Sequence, residues 1–320
     1  QDKTKTLDQS AEKPEPLKDV AIYQQEVTQF VAQSAQQLQK NEQKIQRGEL
    51  KNGIRYALFP TTTRDDKTYA TISLDFGTEK SLFGKGETLD LTSYLMLRGS
   101  EKHTLQEITD KAIAASGGAS ITSNGNGLTI GIQAKKDKFE DFLNFIIDVM
   151  KQPKFAQSEF DLAKNQSLSA LDRPYTEPAV VASMTLARLL ETYQPGDLRY
   201  HFEPEFAKKQ LNAATQAQVK QFYDQFFVTD HGQIAVTGDF DPKKMQNTLQ
   251  KAFGQWKTKQ PYQKITSPYV AFKAEKVHAL SEQREFGSYQ SILTIPVGAY
   301  HQDAPALIIL SHIMGNSQLS

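Results

Sequence analysis

The sequence has 320 residues, 37 acidic and 37 basic side chains, and no cysteine. This balanced charge gives no support to nucleic acid or an anionic membrane as an obligatory partner. The lack of cysteine excludes disulfides, thiolate metal sites and cysteine nucleophiles. No apolar run approaches the roughly 20 residues that cross a bilayer, so no membrane span is expected.

The first 47 residues are predicted to form a disordered arm followed by a linker helix. The arm is polar and contains Pro14 and Pro16, a composition that favours disorder. From Val20 to Arg47, apolar residues such as Val27 and Phe30 follow a helical period. This pattern predicts a linker helix lying on a neighbouring surface, with a coiled-coil partner helix as the alternative.

A strand, loop and helix between Thr68 and Thr104 organise the rest of the chain. Apolar and polar residues alternate around Ile72 and Leu74, which predicts a strand with one buried face. Leucines then return at helical spacing up to Gly99, a plausible helix stop. We expect this helix to pack against the sheet that contains Ile72 and Leu74.

The remaining elements alternate along the chain. Their predicted ranges are a strand at Ile54–Pro60, a helix at Thr104–Ala115 with a capping box, a hairpin around Asn124–Gly127, helices around Phe139–Val149, at Ser158–Leu171, Glu177–Thr192 and Thr215–Phe227, a strand at Gly232–Gly238, and a helix at Lys243–Phe253. Tyr193–Leu211 is predicted to be irregular. The pattern predicts an α+β fold, a mostly antiparallel sheet backed by helices.

A weak internal repeat indicates the start of a second unit. SILTIPVG at Ser291–Gly298 echoes the strand TISLDFG, and LIILSHIMG at Leu307–Gly315 echoes the helix LTSYLMLRG. We therefore predict one complete unit over residues 48–262 and the beginning of another over residues 263–320. A second unit of that length would lack most of its core, so the sequence is interpreted as a fragment.

The histidines give no metal pair, because no two of the six lie three or four residues apart. His201 with Glu203 and Glu205 is the closest cluster of metal-binding residue types. Pro204 lies inside it and predicts a solvated loop.

Two other patterns also have simple structural explanations. Glu87 and Asp90 lie one helical turn apart, but carboxylates early in a helix commonly face its positive dipole end, which we favour over an acid and base pair. Gly125, Gly127 and Gly131 sit in a hairpin and open no helix, so they do not form a phosphate loop.

The phrase RGSEKHT after an apolar helix resembles the segment that follows the inverted His-x-x-Glu-His motif of the pitrilysin/insulinase family of zinc peptidases. LKNGIRYALFP, SGGASI, PKFAQSEFDLAKNQ, PGDLRY and VTGDFDP extend the similarity, in order, over Gly48–Ser320. They resemble the second half of long bacterial members. The resemblance implies a unit like those of mitochondrial processing peptidase, followed by the start of another.

Carried over position by position, the His, Glu and His of the motif fall on Asp90, Ser93 and Tyr94. The family's further Glu ligand falls near Ser169 or Ala170. A carboxylate, a hydroxyl and a phenol do not make a tetrahedral zinc shell with a general base. The resemblance therefore implies the fold but no metal ligand and no catalytic residue in this chain.

The positions corresponding to the motif in the second copy are Ala306, Ile309 and Leu310, which are apolar and are predicted to lie in the core. The resemblance then implies a non-catalytic half of a bacterial zinc metallopeptidase, one that encloses and helps bind peptide opposite a catalytic half. Zinc is expected in that catalytic half, in the same polypeptide or a partner subunit, and the periplasm is the expected compartment. The alternative is a zinc-free assembly subunit of the same fold.

Gly117, Gly118 and Ala119 are tentative peptide-binding residues. In catalytic members of the family, a similar glycine-rich edge strand pairs with the substrate backbone, because glycine permits a close approach. The alternative is a helix C-cap followed by an ordinary strand.

Overall fold

The computed structural model describes residues 19–172, 176–201, 203–282 and 285–315. The chain divides into two compact units, Gln1–Gln46 and Arg47–Ser320. The described part of the first unit is mainly one helix, α1 (Val20–Lys44), in agreement with the predicted linker helix. The Asp19 carboxylate caps it by accepting a hydrogen bond from the backbone N–H of Ala21. The predicted arm lies outside the described residues.

The second unit is built on a six-stranded sheet with strand order β1-β2-β6-β3-β5-β4. The strands are β1 (Gln46–Glu49), β2 (Arg55–Pro60), β3 (Lys67–Asp75), β4 (Gly118–Ser123), β5 (Gly127–Lys135) and β6 (Gly232–Gly238). Strand β2 is parallel to β6, whereas the β6–β3, β3–β5 and β5–β4 pairs are antiparallel. The predicted α+β class with a mostly antiparallel sheet is confirmed.

Ten helices are described in this unit. They are α2 (Glu79–Leu82), α3 (Gly86–Leu95), α4 (Leu105–Ala114), α5 (Lys136–Lys151), α6 (Gln157–Leu171), α7 (Pro178–Leu189), α8 (Pro204–Ala213), α9 (Gln216–Phe226), α10 (Pro242–Phe253) and α11 (Ala304–Gly315). The predicted capping box of α4 is present, since the Thr104 and Glu107 side chains each accept from the other residue's backbone N–H. Among the described helices, none is both long and apolar enough to cross a membrane.

The core lies between the helices and one face of the sheet. In β3, Ile72 and Leu74 are fully buried while the preceding Thr71 is exposed, as the alternating pattern predicts. Leu89 and Leu95 of α3 belong to the same buried cluster as Ile72. Burying each such aliphatic side chain stabilises the fold by about 1.5–3 kcal/mol. The expected packing of this helix on the sheet is confirmed.

Two predictions about local structure are wrong. Residues 204–213 form α8 within a stretch that we predicted to be irregular, because Pro204 occupies the first helical turn, where its missing N–H costs nothing. Residues 291–298 are all described and belong to no strand. Their apolar pattern suits a strand, but a strand also needs a hydrogen-bonded neighbour. The helix predicted after them is confirmed as α11.

Candidate functional site

The three motif positions lie on α3, and their side chains have separate partners. The Asp90 carboxylate accepts a hydrogen bond from the Ser123 hydroxyl at the end of β4. Ser93 is buried, and its hydroxyl donates to the Asp90 carbonyl at 2.8 Å. Tyr94 is 44% exposed, and the Arg98 guanidinium lies 5.3 Å from its ring centroid. The three side chains therefore do not form a convergent ligand set.

The donor chemistry at these positions does not fit zinc. A zinc site needs three or four imidazole, thiolate or carboxylate ligands in tetrahedral geometry, and Asp90 supplies one carboxylate. Ser169 and Ala170 lie on the exposed side of α6 and have no ligand group of these kinds. Within the described ranges, no group of three or more His, Asp or Glu side chains is arranged to hold a metal ion.

An ion pair joins the turn that follows α3 to α6. The Arg98 Nε donates to Glu159 Oε2 of α6 at 2.8 Å, and both side chains are about three-quarters buried, at 25% and 24% exposure. Because Arg98 also covers the Tyr94 ring, α3 and α6 are connected at this point by an ion pair and a cation–π contact.

Glu87 and Asp90 form the carboxyl pair at the start of α3. Burial raises the pKa of Glu87 to about 7, and the Asp90 charge adds to the effect. Both carboxyl groups line a cavity of about 210 Å³ beside α8. The interpretation of Glu87 as a residue favoured by the helix dipole is therefore incomplete, because burial outweighs any benefit to the ionised form.

His201 lines the same cavity. The prediction that it lies in a solvated loop is therefore wrong. Its side chain is 15% exposed, its Nδ1 contacts the Glu191 carboxylate, and its backbone N–H donates to Glu191 at 2.8 Å. Burial alone would raise the pKa of Glu191, but hydrogen bonds from His201 and Tyr193 lower it below its ordinary value. His201 Nε2 is buried without a hydrogen-bond partner among the described residues.

Glu203 and Glu205, the other members of the predicted histidine cluster, point to different partners. Glu203 accepts a hydrogen bond from the Tyr200 hydroxyl at 2.8 Å. Glu205 is 82% exposed and pairs with Lys208 at 3.3 Å. The structure therefore does not bring the cluster together as a ligand set.

Gly117, Gly118 and Ala119 lie at the start of β4, which is an edge strand of the sheet. A Cβ atom on Gly117 would lie 2.2 Å from the Gln133 carbonyl oxygen, so packing within the chain requires glycine there. A Cβ on Gly118 would meet nothing within 4 Å. The close approach at Gly117 is made by β5. Peptide binding at this edge stays a prediction.

The open face of the sheet carries two cross-strand rows of side chains. The first row is Ala57, Ala235, Thr71, Gly131 and Ser120, and the second is Arg55, Gln233, Ser73, Thr129 and Thr122. None of these ten residues is buried, whereas Ile72, Ile130 and Ile234 between them are. Arg55 is the one charged residue in the two rows. The middle of this face therefore carries mostly small uncharged side chains, whereas Tyr69 and Lys67 lie on the same face beyond one row and Asp75 beyond the other.

Two hollows adjoin this face and share Arg55 and Gln233 as lining residues. One, of about 560 Å³, lies over β1, β2, β6 and β3. The other, of about 690 Å³, lies at the end of β3 and includes Asp75 and His231. Burial raises the pKa of Asp75, and the charges of His231 and Lys264 oppose the shift. Sequence reasoning missed both hollows because their lining residues come from segments far apart in the chain.

The segment after the sheet unit is attached along the second hollow. The Gln263 N–H donates to the Gly77 carbonyl at 2.9 Å, and the Asn126 amide donates to the Gln263 carbonyl at 3.0 Å. Arg199 donates to the Thr266 carbonyl at 2.7 Å and is itself held by Asp197 at 2.6 Å. Sequence reasoning missed this role of Arg199. The turn signal Pro195-Gly196 marks the loop but not its contacts.

Comparisons with known proteins agree with this fold. The family model described as "Peptidase M16 inactive domain" matches residues 213–320. No curated protein matches the sequence significantly. Similar solved structures include a peptidase M16 inactive domain from Pseudomonas fluorescens, with 16% identity and a TM-score of 0.60 over 70% of this chain and 53% of that one.

Two further structures are similar at the level of fold. A protease from Helicobacter pylori has 17% identity and a TM-score of 0.57, covering 71% of this chain and 53% of that one. The first half of the periplasmic protease PqqL from Escherichia coli has 14% identity and a TM-score of 0.58, covering 70% and 49%. The chain spans about half the length of these three structures. Residues 213–320 thus resemble a peptidase M16 inactive domain, and the fold of the chain is similar to that of the solved inactive domain.

Proposed function

We propose that this chain acts as the non-catalytic half of a bacterial zinc metallopeptidase, where it encloses peptide substrate and helps to bind it opposite a catalytic half. One observation carries the proposal. The motif helix α3 is kept and buried in the core, but its motif positions hold Asp90, Ser93 and Tyr94, which are bonded to neighbours and do not converge. The match to a peptidase M16 inactive domain supports it.

The contribution of such a half to peptide hydrolysis is positional. The surface of this half, opposite the catalytic centre, holds the peptide in place and limits its contact with water. Both effects lower the activation barrier of hydrolysis, although this half contributes no reacting group. The zinc and the general base then belong to the catalytic half, in the same polypeptide or in a partner subunit. We propose the periplasm as the compartment, since PqqL, one of the similar structures, is described as a periplasmic protease.

Reconstitution tests the proposal. A quenched fluorescent peptide is incubated with this chain, with a catalytic half that carries His-x-x-Glu-His, and with both together. We expect no cleavage and no stoichiometric zinc for this chain alone, and at least tenfold faster cleavage by the mixture than by the catalytic half alone. Stoichiometric zinc on this chain, or a mixture no faster than the catalytic half, would contradict the proposal.

The alternative is a zinc-free assembly subunit, and the surface of α11 favours it. Ile308, Ile309 and Leu310 are 70%, 61% and 52% exposed, which is unusual for three consecutive large apolar residues. An assembly subunit would form a stable complex through such a surface without changing the rate of peptide cleavage. Size-exclusion chromatography alongside the cleavage assay therefore separates the two functions.

A further inference from the structure

The open face of the sheet has the shape to receive an extended polypeptide. Eight of the ten positions in the two rows carry side chains no larger than threonine, and six of the ten line the hollow of about 560 Å³. Neighbouring strands lie about 4.8 Å apart, so the distance across β1, β2, β6 and β3 is roughly 15 Å, the length of about four or five extended residues. Small side chains in the floor allow a bound backbone to approach closely.

Arg55 is the one charged residue in the two rows and gives them a definite charge preference. It is exposed, and within the described residues its side chain has no ion pair or hydrogen bond. It stands where the two hollows meet, next to Gln233. A guanidinium is suited to bind a carboxylate through two parallel hydrogen bonds, and a nearby amide side chain can add a third.

The charges in the second hollow indicate on which side of Arg55 that carboxylate would lie. Asp75 and Asp230 both line this hollow. Burial would raise the pKa of Asp230, but the Thr258 hydroxyl, which donates to it, lowers the pKa below its ordinary value. His231 and Lys264 partly balance these two carboxyl groups. A further carboxylate is therefore more favourable on the sheet side of Arg55, where the hollow is lined by one acidic residue, Glu49, and by a second cation, Arg47.

We infer that the open sheet face binds extended peptide segments that are acidic, with a carboxylate side chain on Arg55 and the adjoining residues over Thr71 and Ala235. This inference rests on the proposed function and names the class of substrate segment that the non-catalytic half selects. It predicts that the face prefers a negatively charged side chain at one position of the peptide and accepts small uncharged residues at the other positions.

Peptide binding to the chain tests the inference directly. Three fluorescein-labelled ten-residue peptides share Gly, Ser, Thr and Ala and differ at three central positions, which are Glu-Asp-Glu, Gln-Asn-Gln or Lys-Arg-Lys. Fluorescence anisotropy gives each Kd. We expect the acidic peptide to bind about tenfold more tightly than the neutral one, the usual size of one charge-assisted hydrogen-bonded contact. Equal affinities, or tighter binding of the basic peptide, would overturn the inference.

Variants locate the contact. Arg55→Gln should reduce the preference for the acidic peptide to less than twofold, and Arg55→Lys should keep part of it. Ala235→Trp, at an exposed position on the face, should weaken binding of both acidic and neutral peptides at least tenfold, with circular dichroism confirming that the variant is folded. Arg64→Gln removes an exposed cation from the loop after β2 and should change neither Kd.

The outcomes also separate this inference from the proposed function. If the mixture with the catalytic half cleaves peptides faster but Arg55→Gln leaves the acidic preference intact, the assignment to Arg55 is wrong and the proposed function stands. If no peptide binds and the chain does not accelerate the catalytic half, both are wrong.

Discussion

Helices α3 and α11 have similar sequences and very different surroundings. Leu89 and Leu95 of α3 are 2% and 1% exposed, whereas Ile309 and Leu310 of α11 are 61% and 52% exposed. The strand that precedes α3 is hydrogen-bonded on both sides, by β5 and β6. Residues 291–298, which precede α11, pair with no strand in the described part of the chain. A local pattern is thus enough to form the helix, but burial of its apolar face requires a sheet.

The largest difference between the two helices is expected for leucine truncation. Leu95→Ala should lower the free energy of unfolding by about 2–5 kcal/mol, because it leaves a cavity in a closely packed core. Leu310→Ala should change it by less than about 0.5 kcal/mol. Urea titrations followed by circular dichroism measure both values. Similar losses for the two variants would show that the α11 surface is packed as tightly as the core.

A smaller difference is expected for the glycines that end the two related strand segments. Gly77 has φ +70°, and a Cβ there would lie 2.8 Å from the Leu82 side chain, so Gly77→Ala should destabilise by about 1–3 kcal/mol. Gly298 lies outside the left-handed region, with nothing within 4 Å of an added Cβ. Gly298→Ala, its matched control, should be neutral within about 0.5 kcal/mol. Thermal unfolding compares them, and a neutral Gly77→Ala would contradict the close contact.

The burial of α3 also predicts a dependence of stability on pH. The pKa of Glu87 is raised from 4.5 to about 7 in the folded state. Below the unfolded value the group is protonated in both states, and between the two values the folded state holds more protons. Glu87 therefore makes the free energy of unfolding fall as the pH rises from about 4.5 to about 7.

Glu87→Gln should remove that fall, which we expect to be about 1–2 kcal/mol after allowance for solvent screening. Urea titrations at pH 4.5, 6 and 7.5 measure it. If the free energy of unfolding of Glu87→Gln fell with pH as steeply as that of the unsubstituted chain, the raised pKa of Glu87 would be contradicted.

The smallest effect concerns the attachment of the segment after residue 262 to the sheet unit. Arg199→Ala removes the hydrogen bond to the Thr266 carbonyl, and it leaves Asp197 without its cation. We expect trypsin to cleave after Lys264 and Lys273 about five- to tenfold faster, because local opening costs less when such contacts are lost. Mass spectrometry of the fragments gives the rates. Arg64→Ala, in an exposed loop, is the control, and equal rates for both variants would contradict the anchoring role.

Much of the fold could be predicted from the sequence because it depends on local chemistry. The Thr104–Glu107 capping box, the alternation around Ile72 and the turn at Asn124–Gly127 each act over a few residues. The errors came where a local signal has two meanings. Pro204 ends a helix or begins one, and α8 shows that it begins one here.

At the candidate site, the donor atoms could be predicted from the sequence, but their partners could not. The residue types at positions 90, 93 and 94 exclude a zinc shell without any structure, because the donor atoms are wrong. The partner of Asp90 could not be predicted, since Ser123 meets α3 only after the chain has folded back, and the same holds for the pairing of Arg98 with Glu159. The same is true of His201, whose partner Glu191 makes it a buried residue and not a solvated one.

By itself, the sequence determined the elements, the class of fold and the absence of catalytic side chains at the motif positions, because periodicity and donor chemistry are properties of short segments. The tertiary structure decided which apolar faces are buried, that Glu87 is held near pKa 7, and that Arg55 stands at the junction of two hollows on an open sheet. Burial, electrostatic environment and concave surfaces all depend on residues that are distant in the chain and become neighbours only through strand pairing and helix packing.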